Sequence, residues 1–219
     1  MPSRRTHGRE DERAFRLAIT CLFPAAGVIA GRSRRHADAV GGTVSRAEEP
    51  AAMRAALGLT GALMWGSAVL FVVSPGRLAW ARMPVPRPAR FGAVAVAASC
   101  LPLMWWVFRS LGTNVTRTVA TRSDSTLVTH GPYRWVRHPL YSVGAIFGLA
   151  LGVIARSALT TVSCVVVVGL LARRTRREEE QLVRRFGDDY RDYAARTGAF
   201  VPRLRARQRR SGSPRRQSE

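Results

Sequence analysis

The chain contains no lysine, few acids and few cysteines, and each shortage narrows what it can be. All 35 basic residues are arginine against 14 acids, a formal net charge of +21 that favours phosphate-bearing partners, whether nucleic acid or an anionic bilayer surface. Cys21, Cys100 and Cys164 each sit in apolar sequence without CxxC spacing. That pattern implies neither a disulfide framework nor a thiolate metal site, so no metal is expected and the thiols read as small buried hydrophobes. No Gly-rich dinucleotide turn and no internal repeat is visible. With 219 residues, 47% of them apolar and 22% charged, the chain suits one domain and is neither a disordered tail nor a collagen-like rod.

Charge is also missing from long stretches. Leu57 to Val73 has none, and extended back to Ala55 it has the length that crosses a hydrocarbon layer about 30 Å thick at about 1.5 Å per residue. Phe91 to Phe108 is equally free of charge and ends near Trp105 and Trp106, whose indoles prefer the headgroup region. From Pro139 to Ala172 only Arg156 interrupts the apolar composition, which predicts a tight hairpin of two helices. Gly144, Gly148 and Gly152 recur every fourth residue and flatten one face of its first arm. The run Leu17 to Ala30 is shorter and contains Pro24; an extra span, an interfacial helix and a signal peptide all remain open, with Glu10, Asp11 and Glu12 against the last.

These patterns predict an all-α fold: a multi-span integral membrane helical bundle of four spans, a candidate N-terminal fifth, and a cytoplasmic C-terminal helix. Six segments follow. Residues 1–50 hold a short apolar helix and a mobile connector from 31, and 51–110 hold the first two spans. Residues 111–138 form a cytoplasmic connector, 139–172 the hairpin, 173–204 the C-terminal helix and end segment, and 205–219 a disordered basic tail. Arginines cluster before the hairpin at Arg109, Arg117, Arg122, Arg134 and Arg137, and after it at Arg173, Arg174, Arg176 and Arg177. Both hairpin ends are therefore expected to face the cytoplasm, as in a bacterial inner membrane. The same rule makes the 74–90 loop external, yet it holds Arg77, Arg82, Arg87 and Arg90, a conflict that an interfacial loop broken by Pro84, Pro86 and Pro88 would soften.

Chemistry concentrates in two places. In Gly131-Pro132-Tyr133-Arg134-Trp135-Val136-Arg137-His138-Pro139-Leu140-Tyr141, Gly131-Pro132 marks a turn and Pro139 suits a first helical turn. His138 then stands at a helix entrance with unpaired backbone amides, flanked by Tyr133 and Tyr141, a cradle for a polar heterocycle that also serves as plain interfacial anchoring. Between Arg173 and Arg196, Leu182, Val183, Phe186, Tyr190 and Tyr193 keep helical spacing. Glu179 falls in the middle of that stripe, Glu178 near its edge, and Glu180 and Arg174 point away. A carboxylate among apolar groups needs an arginine, a hydroxyl or a cationic ligand. Glu178 also reads as an ordinary pair with Arg174 on a solvated face.

Taken together, Leu127-Val128, Gly131-Pro132-Tyr133-Arg134, Arg137-His138-Pro139-Leu140-Tyr141 and, beyond the hairpin, Arg174, Glu178-Glu179, Leu182, Phe186-Gly187, Tyr190 and Tyr193 resemble the signature of the isoprenylcysteine carboxyl methyltransferase family, over roughly 111–204. The resemblance implies an integral membrane enzyme that binds S-adenosylmethionine at the cytoplasmic edge and methylates a lipophilic acceptor arriving from the bilayer. By position, Tyr133, His138, the Leu140 backbone, Tyr141 and Glu179 would hold the cofactor, and Arg174 and Glu178 would line the acceptor side. With spans assigned, membrane lipid rather than nucleic acid is the expected partner of the arginines; no oligomeric state is fixed. Two other readings stay open: a membrane reductase using a nicotinamide cofactor, and a non-enzymatic basic protein gripping anionic lipid.

Overall fold

A computed structural model describes residues 3–41, 50–112 and 126–203, with the backbone alone for 3–9 and 40–41. The tail 205–219, the part of the connector from 113 to 125 with Arg117 and Arg122, and Gly42 lie outside the described residues. The described residues form six helices: α1 (Ser3–Gly41), α2 (Ala51–Val73), α3 (Arg87–Leu111), α4 (Pro139–Ala155), α5 (Ala158–Phe186) and α6 (Asp188–Arg196). No strand occurs among them; only isolated bridges pair extended backbone.

Four helices are long and apolar enough to cross a membrane: Glu10–Ala39 within α1, α2, α3 and α5, with α4 as a shorter apolar helix. Large apolar side chains such as Leu59, Leu63, Val96, Leu103, Ile146, Val162 and Val165 point outward from these helices. Water would penalise that surface, whereas hydrocarbon accepts it, so the pattern belongs to an integral multi-pass membrane protein. The apolar part of α5 ends where Arg173 and Arg174 begin, and its last turns are rich in arginine and glutamate.

The shortest apolar helix is the central one. α4 packs against α3 and α5 and also touches α1 and α2, while α2 runs along α5 and α1 along α3. Phe147, Leu151 and Ile154 on α4 are fully buried. Close approach of α5 depends on the glycine face: a Cβ on Gly148 would meet the Cys164 Sγ at 2.7 Å, and one on Gly152 would strike Thr161, whereas Gly144 has nothing within 4 Å. The hairpin turns at Arg156, which adopts the left-handed conformation, and Ser157 then caps α5 by accepting from the Thr160 amide at 3.2 Å. Between α2 and α5 the hydroxyls of Ser67 and Thr160 meet at 2.7 Å, so two buried polar groups satisfy each other inside the bundle.

Several expectations need correction. The N-terminal helix is not short: α1 runs unbroken through Pro24, and residues 31–41 continue it instead of forming a connector. Arginine and alanine are good helix formers, and Ala37 is fully buried against the core, which holds the last turns in place. Cys21 is exposed, unlike Cys100 and Cys164, because apolar surroundings on a lipid-facing helix do not imply burial in protein. Pro88 does not block helix formation; it lies in the first turn of α3, where its missing N–H costs nothing. The helix after the hairpin is two helices: α5 stops at Phe186, Gly187 adopts φ +56°, and α6 begins at Asp188.

Candidate functional site

The site is built where the start of α4 meets the charged end of α5. Pro139 is the first residue of α4 and His138 its N-cap, so the imidazole stands at the mouth of the helix; the Tyr141 and Ser142 amides donate to the His138 carbonyl at 3.1 and 3.3 Å, and Leu140 lies before them in the first turn. The preceding tight turn Gly131–Arg134 starts at φ +59°, and a Cβ there would collide with the Ser110 hydroxyl at the end of α3, so glycine is required. After α6 the chain returns across the same place: the amides of Arg137 and His138 donate to the carbonyls of Gly198 (2.8 Å) and Ala199 (2.9 Å). Ser142 Oγ donates to the Phe200 carbonyl at 2.6 Å, and the Phe200 ring tilts over His138 at 5.7 Å between centroids.

Six side chains converge in this frame. His138 Nε2 lies 3.2 Å from Glu179 Oε1, and its Nδ1 faces Glu178 Oε2 at 3.7 Å. Tyr141 Oη donates to Glu178 Oε1 at 2.8 Å, and the same oxygen accepts from Arg174 Nε at 2.8 Å. Arg137 Nε donates to Glu179 Oε1 at 2.8 Å, while its Nη1 donates to the carbonyls of Ala194 (3.0 Å) and Thr197 (2.6 Å). The rings of His138 and Tyr141 stack at 8° with centroids 5.7 Å apart. Two stretches about forty residues apart thus face each other across one small volume.

The charges are arranged in opposition. The His138 hydrogen bond, then the bond and charge of Arg137, outweigh burial and hold the Glu179 carboxyl down to about 2. Burial works against the Arg137 guanidinium, but Glu179 more than offsets it and the pKa rises. On α6, burial pushes up the Tyr190 and Tyr193 phenols, with the Glu179 charge adding to both. Tyr193 Oη donates to the Tyr133 carbonyl at 2.7 Å, whereas the buried Tyr190 hydroxyl stands near Glu179 without completing a well-formed hydrogen bond among the described residues.

The residues singled out from sequence do not all take part alike. His138, Tyr141, Glu178, Glu179 and Arg174 are brought together. Tyr133 is joined to the assembly through its carbonyl; its buried phenol makes no hydrogen bond or ring contact with the cluster. Leu140 packs its side chain against the core. Glu178 is more buried than Glu179, with side chains 15% and 28% exposed, the reverse of the helical wheel, and Arg174 is buried rather than turned away. The wheel treated Tyr190 and Tyr193 as part of α5, and removing those α6 residues rotates the buried face of α5 toward Arg174 and Glu178. The Arg174–Glu178 pair exists, but on a packed face rather than a solvated one.

Arg137 and Tyr190, which enter the sequence reading only through charge, spacing and the motif, and the returning segment Gly198–Phe200 belong to the site as well. The need of Glu179 for a cation was readable; which of 35 arginines supplies it was not. Among the described residues no group of three His, Cys, Asp or Glu side chains is placed to hold a metal ion.

Comparison with known proteins fits this geometry. Residues 93–184 match the model of the isoprenylcysteine carboxyl methyltransferase (ICMT) family, a segment that contains both sides of the cluster. The chain is 35% identical over 86 residues to the cobalt-zinc-cadmium resistance protein CzcN of Cupriavidus metallidurans and to the nickel-cobalt-cadmium resistance protein NccN of Alcaligenes xylosoxydans xylosoxydans. Each match covers 39% of this chain and 40% of the relative, so the chain spans less than half the length of the curated relatives it matches. A solved structure of the eukaryotic intramembrane Ras methyltransferase ICMT superposes with a TM-score of 0.48 at 19% identity, covering 84% of this chain and 67% of that one. Residues 93–184, in which the histidine of one half of the motif is hydrogen-bonded to the carboxylate of the other, are thus the part of the chain that is similar to the isoprenylcysteine carboxyl methyltransferase family.

Proposed function

We propose that this protein is a membrane-embedded methyltransferase that uses S-adenosylmethionine and acts on a lipophilic acceptor entering from the bilayer, with a carboxylate as the acceptor group. The observation that carries this reading is the 3.2 Å contact between His138 and Glu179 beside the Tyr141–Glu178–Arg174 chain at the membrane edge. The residues suit a cationic, polar ligand. Two carboxylates converge there, Leu140 offers a first-turn amide, and the buried Tyr190 hydroxyl stands near Glu179 without a well-formed hydrogen bond. Bound at this place, the cofactor supplies an electrophilic methyl group on a sulfonium.

The chain's own part is alignment and exclusion of water. Tyr133, His138, Leu140, Tyr141 and Glu179 hold the donor; Arg174 and Glu178 face the acceptor. A carboxylate acceptor is already ionised at neutral pH, so no general base is required, and the planar fork of Arg174 is shaped to orient it. An amine or thiol acceptor would have to lose a proton, and Glu178 or His138 would take it. The α4–α5 contact, tight at Gly148 and Gly152 and open at Gly144, leaves space on the face that leads up to Tyr141, as a lipid-borne chain needs. The arginines at this end favour a cytoplasmic site in a bacterial inner membrane.

Incubating the purified full chain in nanodiscs with methyl-labelled S-adenosylmethionine and a whole lipid extract tests the proposal. A labelled, base-labile ester in the organic phase is expected. Retention of NADPH with indifference to S-adenosylmethionine would instead favour the reductase reading.

A further inference from the structure

The end of the bundle opposite this site carries arginines where the charge rule predicts few. Two of them are answered by acids of the N-terminal helix. Arg87 faces Asp11 at 3.1 Å; the buried Arg90 donates to Glu12 and to the Ile154 carbonyl, each at 2.8 Å, and lies over the Phe15 ring. The others are not so answered. Arg82 and Arg156 lie at one junction of the backbone, since the loop is pinned to the hairpin tip: the Met83 amide donates to the Arg156 carbonyl at 2.7 Å, and Arg82 forms a bridge with Ser157.

Arg156 Nε donates to the Met83 carbonyl at 3.1 Å, which fixes the base of the guanidinium and leaves its terminal nitrogens facing away from that bond. Neither Arg82 nor Arg156 has a carboxylate partner among the described residues. Arg156 also occupies φ 53°, ψ 37°, a turn conformation that glycine or asparagine adopts with less strain, so the position keeps an arginine against its backbone preference. Close by in the loop, Trp80 is 77% exposed, where an indole meets the headgroup layer.

At a bilayer border the abundant anion is the lipid phosphate, and two guanidiniums at one junction complement its charge and can each donate to a pair of its tetrahedral oxygens. We propose that Arg82, Arg156 and Trp80 form a binding site for the phosphate headgroup of an anionic phospholipid in the leaflet opposite the candidate methyl-transfer site. Such a lipid completes the loop–hairpin junction and accounts for arginines on a side where the sequence rule places few.

Photoactivatable phosphatidylglycerol in phosphatidylcholine nanodiscs containing the full chain, with adducts mapped by peptide mass spectrometry, tests this. Adducts on residues 75–86 and 153–160 are expected, falling about fivefold for each arginine removed in Arg82→Gln and Arg156→Gln. Arg156→Gly relieves the turn and preserves the fold, so it should lose adducts without losing thermal stability. Adducts that stay unchanged in all three variants, that form equally with a photoactivatable phosphatidylcholine, or that inorganic phosphate alone erases would overturn the proposal.

Discussion

Replacing Arg137 by alanine tests how far the site and the fold are one object. Its guanidinium joins Glu179 on α5 to the carbonyls of Ala194 and Thr197 around the end of α6, so one side chain ties three parts of the chain together. Breaking a buried ion pair costs about 3–5 kcal/mol, and each hydrogen bond lost to a carbonyl that water can still reach adds about 0.5–1.5 kcal/mol. Glu179 is more than a quarter exposed and keeps His138, which lowers the first figure, so about 3–4 kcal/mol in all is expected. For a chain of this size that is a fall of about 10 °C in Tm, measurable by thermal unfolding in detergent. Arg137→Lys, a point charge that cannot serve all three acceptors, should lose about half as much. The Glu179 carboxyl titrates lower in the folded chain than in the unfolded one. Its contribution is therefore fully present above about pH 4.5 and drains away as pH falls toward about 2; Arg137→Ala should weaken that dependence. A Tm change below about 2 °C for the alanine variant, or a lysine variant equal to wild type, would refute the tie.

Gly187→Ala should cost at least about 1–2 kcal/mol, because φ +56°, ψ −126° is a conformation that side chains avoid; faster limited proteolysis between 188 and 203 would report the loosening of α6. On α4, Gly148→Val should lower Tm by several degrees by forcing Cys164 away, while Gly144→Ala, with open space around it, should leave Tm within about 2 °C of wild type. Tyr141→Phe removes the hydroxyl that bonds Glu178 and should reduce methyl transfer about tenfold with the fold intact, checked by initial rates beside circular dichroism.

Much of the architecture was legible because a bilayer demands long runs without charge, and such runs stand out in an arginine-rich chain. Arg156 marked the hairpin turn and Pro139 the start of α4 for local reasons, an interrupting charge and a missing amide. What escaped was decided by tertiary contact. Burial of Ala37 extends α1 beyond its apolar run, and Cys21 faces outward on a helix whose composition does not separate lipid from protein neighbours. The break at Gly187 had a local signal, glycine followed by Asp188 and Asp189, yet the apolar spacing runs through it as though the helix continued. At the site, sequence spacing indicated that Glu179 needs a cation; only folding selects Arg137, and only the end of the chain returning across α4 brings Phe200 onto His138.

The most direct measurement is calorimetric titration of S-adenosylmethionine into the purified full chain, wild type beside His138→Ala and Glu179→Gln. One shared chamber predicts saturable one-to-one binding that weakens at least about tenfold in each variant, the loss of roughly one charge-assisted hydrogen bond, while both proteins still insert as helical bundles. Undiminished affinity in both variants, or no binding by the wild type, would contradict it.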